Sequence, residues 1–185
     1  MNFVPEQPKQ EVEDVPYFDD VTSNAGWRGH TTGKSFETLK AEIIGAVGRL
    51  GGIVTGFQRG TFVIGSRKRD GFQMHYVVEQ SDGTMYPGRM DIAALPIKDD
   101  ARHQRSLEKR REKSLKMALF MLREALDGTW FLQQLSPGYA PLMPWMLEKS
   151  SGKTITQLWS ESVFSDHLLP SGEGDFVEGE FEESL

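Results

Sequence analysis

The chain has 185 residues, no cysteine and a formal net charge of −6. The missing thiols exclude disulfides, thiolate metal sites and a cysteine nucleophile, and no apolar run approaches the ~18 residues that mark a membrane-spanning helix. Charge is sorted by position: residues 1–26 carry −5, residues 154–185 carry −8 without a single Lys or Arg, and residues 27–153 carry +7. A basic body attracts polyanions, and tethered acidic ends compete for the same surface.

Residues 1–26 are acidic and contain proline, which predicts a disordered arm with one aromatic cluster, Pro16-Tyr17-Phe18, able to dock locally. The start, Met1-Asn2-Phe3-Val4-Pro5-Glu6, has neither the basic residues nor the apolar stretch of a signal peptide, so a cytoplasmic protein is expected. Ser35 is a good cap for a helix over 36–50, in which Phe36, Leu39, Ile43, Val47 and Leu50 recur at helical spacing before Gly51-Gly52.

Four antiparallel strands are expected next. Residues 53–57 and 61–66 flank Gln58-Arg59-Gly60, residues 72–80 follow the turn Arg67-Lys68-Arg69-Asp70-Gly71, and residues 85–97 follow Ser81-Asp82-Gly83. Asp99 or Asp100 then caps a long helix over about 101–127, which Gly128 is expected to close, with a shorter helical piece at 130–135. The proline-punctuated apolar stretch 137–145 is expected to pack on the body, Thr154 or Thr156 to start a short helix, and residues 170–185 to form a disordered acidic tail. The fold class is therefore α+β, with one domain over 27–169 and helices on one face of an antiparallel sheet.

Five cations mark the long helix. Arg102, Arg105, Lys109, Lys113 and Lys116 fall within a stripe about 80° wide, roughly opposite the leucines of the same helix. Such a stripe suits a row of phosphates, although a solvated face with i,i+4 pairs has the same pattern. Arg59 and Arg67-Lys68-Arg69, placed at hairpin turns, add cations to the same candidate interface. Aromatic residues are interleaved with them, and Tyr76, which shares a strand face with Phe72, is a candidate for stacking on a base. Gly33-Lys34-Ser35 stands before the first helix, where free amides and a lysine can hold one phosphate. Its glycine spacing is one residue short of a nucleotide-binding loop.

The four histidines, His30, His75, His103 and His167, are widely scattered, so no metal, cofactor or catalytic residue is expected. Glu79 and Asp91, on neighbouring strands, are the one carboxylate pair that could approach to hold Mg²⁺ for a nuclease. Phe176 and Phe181 lie among acids in the tail, a pattern suited to recruiting a protein partner. The expected function is non-enzymatic nucleic-acid binding, to single-stranded DNA or RNA, in the replication or DNA recombination of a mobile element. The alternative is a protein–protein adaptor or inhibitor that docks on a larger complex; an oligomer is compatible with either, and no membrane partner is expected.

Overall fold

The computed structural model describes residues 15–64, 67–80, 82–98, 106–136 and 138–164. Ser35 initiates the first helix, α1 (Phe36–Arg49): its hydroxyl accepts the Thr38 amide at 3.1 Å while its own backbone is extended. That arrangement satisfies one of the amides a helix start leaves open. Leu39, Ile43, Ala46 and Val47 form the buried face of α1.

Three strands follow, not four. β1 (Gly52–Ile64) pairs antiparallel with β2 (Arg67–Glu79), which pairs antiparallel with β3 (Met85–Ala93). β1 runs straight through Gln58-Arg59-Gly60, and Arg67-Lys68-Arg69-Asp70-Gly71 is strand rather than turn. The reason is that the two apparent breakers, Gly60 and Gly71, face each other across the ladder. A Cβ on Gly71 would lie 2.2 Å from the Ile92 carbonyl oxygen and 2.6 Å from the Phe62 ring. Gly71 is therefore there to let an aromatic ring cover the sheet, not to reverse the chain. The Asp82-Gly83 turn is found as expected, with the Thr84 amide held by the Asp82 carboxylate at 2.8 Å.

β3 stops pairing at Gly71, so the residues of β1 and β2 beyond it, Thr61–Ile64 and Arg67–Asp70, form a two-stranded arm. On the inner face of the sheet Phe72, Met74, Tyr76 and Met90 are buried against the helices.

The long helix, α2, spans Leu107–Leu135 without interruption. Gly128 does not end it, because the helical pattern continues through Trp130, and a mid-helix glycine costs only about 1 kcal/mol relative to alanine. The expected start at 101 and its Asp99 or Asp100 cap lie outside the described residues. α1 runs beside the middle of α2, with ion pairs Arg123–Glu42 at 3.6 Å and Arg49–Asp127 at the end of α1. Both ends of α2 therefore extend past α1.

The aromatic cluster near the N-terminus docks as expected. Phe18 and Val21 are buried with Leu95 and Met117, and the Phe18 amide donates to Pro96 O at 2.9 Å. The segment after α2 also packs on the body: Leu142 is buried, and Met146 bridges to Gly88 at the free edge of β3. A last helix, α3 (Ile155–Phe164), starts at a reciprocal cap in which Thr154 and Gln157 each hold the other's amide. No described helix is long and apolar enough to cross a membrane.

Candidate nucleic-acid interface

The arm and the start of α2 meet. Thr61, Lys68 and Asp70 of the arm line a cleft of about 290 Å³ with Leu107 and Arg111 of α2. One bidentate ion pair fixes the junction: Arg111 donates to the two Asp70 oxygens at 2.6 and 2.8 Å. The guanidinium holds the Asp70 carboxyl below its ordinary range, and the carboxylate in turn raises Arg111.

A depressed carboxyl contributes stability that is complete above the unfolded value of about 4 and is lost as pH falls through the folded value. Asp70→Asn, already lacking the pair, should therefore lose less stability than wild type as pH falls below about 4. Parallel melting curves for the two proteins would show that this pair does not hold the arm.

On α2, Lys109, Lys113 and Lys116 project within about 60° of one another on the solvent side. Lys109 and Lys113 are exposed. Lys116 pairs with Glu112 at 2.8 Å. Glu112 is held below the usual carboxylate range first by Lys116, and the charge of Arg59 on β1 also acts on it. Lys68 is exposed on the inner face of the arm. Two cationic sets that are about 50 residues apart in sequence thus share one end of the molecule. Among the described residues, Lys68, Lys109 and Lys113 have no carboxylate within salt-bridge distance.

Other expected residues are used internally. Arg69 donates to the carbonyls of Ala93 and Ala94 at 2.9 and 2.8 Å, tying down the chain as it leaves β3. Arg67 donates to Val15 O at 3.0 Å and lies 4.9 Å from the Tyr17 ring centre, so it holds the N-terminal segment. Arg110, on the same helix, pairs with Asp19 at 2.8 Å.

Tyr76 is a correction. Its side chain is 1% exposed and its hydroxyl donates to Leu142 O at 2.9 Å, so no ring face is open to a base. Strand alternation allowed either face to be core, and the face of Phe72 and Tyr76 is the one the helices cover. Lys34 is engaged within the chain: its Nζ lies 2.6 and 2.8 Å from the Glu42 oxygens, and the Ser35 hydroxyl serves as the helix cap. Gly33 is exposed. Glu79 and Asp91 do not approach: they stand opposite Met85 and Gln73, respectively, six residues apart along the ladder, or about 20 Å. No cluster of three metal-ligating side chains occurs among the described residues. Arg102, Arg105, Phe176 and Phe181 lie outside the described residues.

Sequence reasoning missed the role of Asp70. It read Asp70-Gly71 as a turn signal, whereas Asp70 joins the arm to α2. Comparison of the chain with protein-family models, with curated proteins and with solved structures finds no match.

Proposed function

We propose that the protein binds nucleic acid non-enzymatically, holding the phosphate backbone with its basic end. The observation that carries this reading is the row of Lys109, Lys113 and Lys116 on the solvent side of α2, with Arg59 of β1 among the charges acting on Glu112 and Lys68 exposed on the arm that Arg111 ties to the same helix. Exposed cations without carboxylate partners release counterions when they meet phosphates, which drives binding. With Phe72 and Tyr76 in the core, the stacking argument for single strands loses its platform. The remaining contacts are ionic and serve either single strands or duplex.

Photo-crosslinking of a bound oligonucleotide, followed by peptide mapping, tests the site. Adducts should concentrate in the peptides carrying Lys68 and Lys109–Lys116. Adducts confined to α1 or α3 would remove this surface from the reading.

The acidic tail supplies a regulatory consequence. Residues 170–185 hold six acids and no Lys or Arg, tethered to the same molecule at high effective concentration. Truncation after Leu169 should tighten nucleic-acid binding, most strongly at low salt and little where charges are screened. Equal affinities for the two proteins at low salt would exclude tail masking. Replacing Phe176 and Phe181 by Ala should leave masking intact, because it is electrostatic.

A further inference from the structure

A trough of about 550 Å³ opens between α2 and β3. Its walls include Met121 and Ala125 of α2, Ile92 and Ala93 of β3, and Trp27 and Trp145 from the flanking segments. Alanines stand where larger side chains would let helix and sheet close on each other, so the space stays unfilled. The volume falls within the range of roughly 300–1,000 Å³ found for small-molecule sites, which combine an apolar lining with a few placed polar groups.

Two charged residues line the trough, Asp91 and Arg69, and they differ in state. Asp91 is satisfied: Arg89 donates to one of its oxygens at 3.1 Å and Gln73 to the other at 2.9 Å. Arg69 is not neutralised. Its Nε and one Nη donate to the Ala94 and Ala93 carbonyls at 2.8 and 2.9 Å. Those neutral partners fix the guanidinium plane and leave its charge uncompensated. Among the described residues its other Nη has no hydrogen-bond partner, and no carboxylate lies within ion-pair distance. Asp70, its neighbour in sequence, is taken by Arg111. Burial, and then the charge of Arg67, lower Arg69 from its ordinary value, as expected of a cation held without a counter-charge.

We propose that the trough binds a small amphiphile, an aliphatic monocarboxylate, with its carboxylate on the open Nη of Arg69 and its apolar chain along Met121, Ala125 and Ile92. A fixed guanidinium with one open nitrogen suits a carboxylate. Burial of the chain supplies most of the affinity, and the headgroup contact selects an anion over a neutral or cationic head. No lysine of the basic end lines the trough, so this inference and nucleic-acid binding stand or fall separately.

Decanoate titrated into the full chain and followed by tryptophan fluorescence tests it, with decanol as the uncharged counterpart. Trp27 and Trp145 report from the trough walls. The emission should shift saturably, and decanoate should bind roughly tenfold more tightly than decanol. Arg69→Gln should erase that preference and leave decanol binding as it was. Because Arg69 also ties down the chain leaving β3, a second variant keeps it: Ala125→Leu fills the trough from an exposed position of α2 with a residue that suits a helix. It should abolish uptake of both ligands without lowering the melting temperature. Emission unmoved by decanoate, which a trough filled by other residues of the chain or by a second copy would give, would overturn the proposal. So would equal affinities for acid and alcohol in the wild type, or uptake that survives Ala125→Leu.

Discussion

Gly88→Ala should leave little soluble protein. The Tyr76 ring lies against Gly88, and a Cβ there would stand 2.2 Å from its Cζ and 2.5 Å from its hydroxyl oxygen. Neither neighbour can yield. Tyr76 is buried between the sheet and the helices, and its hydroxyl is fixed on Leu142 O. Burial also pushes that hydroxyl well above the usual phenol range, so it remains a donor across the working pH range. Gly88 is at the same time the residue that bridges to Met146. The added methyl group therefore strikes the contact that joins β2, β3 and the segment after α2. Tyr76→Ala tests the same contact by removal and should cost about 3–5 kcal/mol, in line with other large aromatic truncations. Tyr76→Phe should cost about 1 kcal/mol by leaving a buried carbonyl unpaired. Thermal melts rank the three. A Gly88→Ala protein as stable as wild type would mean that Tyr76 does not occupy this position.

Replacing Lys68, Lys109, Lys113 and Lys116 together by Gln should nearly abolish nucleic-acid binding at moderate salt without loss of folding. Three of the four have no carboxylate partner among the described residues, and the fourth, Lys116, has only the exposed Glu112. Their removal leaves almost no buried group unsatisfied. Each phosphate contact contributes about 0.7 to the salt slope on single strands and about 0.9 on duplex. Losing four contacts should therefore flatten the slope by roughly three to four units. The loss should be alike for every sequence, since phosphates carry no base information. A variant that keeps the wild-type slope would move the contacts away from the arm and α2.

The helices were legible because each carries its signals locally. Ser35 with the leucine and isoleucine spacing gave α1 to within a residue, and Thr154 began α3 as read. The sheet was legible in kind but not in number. Glycines that break a strand when read alone are neutral or useful when they face each other, and the Gly60–Gly71 pairing is a contact across ten residues that no local window contains. Gly128 misled in the same way: helix propensity is a weak local preference, and the apolar run beyond it overrode the stop. In the candidate site, the lysine stripe was visible as a period. Which cations remained free was not, because Asp19 and Asp70 neutralise Arg110 and Arg111 from distant parts of the chain, and Glu42 reaches back from two turns into α1 to Lys34. The alternation of Phe72, Met74 and Tyr76 marked a single face, but only the placement of α1 and α2 decided that it was core.

Fluorescence anisotropy of the full chain with labelled single-stranded and double-stranded oligonucleotides across a salt series is the most direct test of the account. It predicts binding whose logarithm falls linearly with the logarithm of salt, with a slope of about three to five for the five cations of the basic end, and little dependence on base sequence. Absence of binding to every nucleic acid at low salt, or binding indifferent to salt, would contradict it.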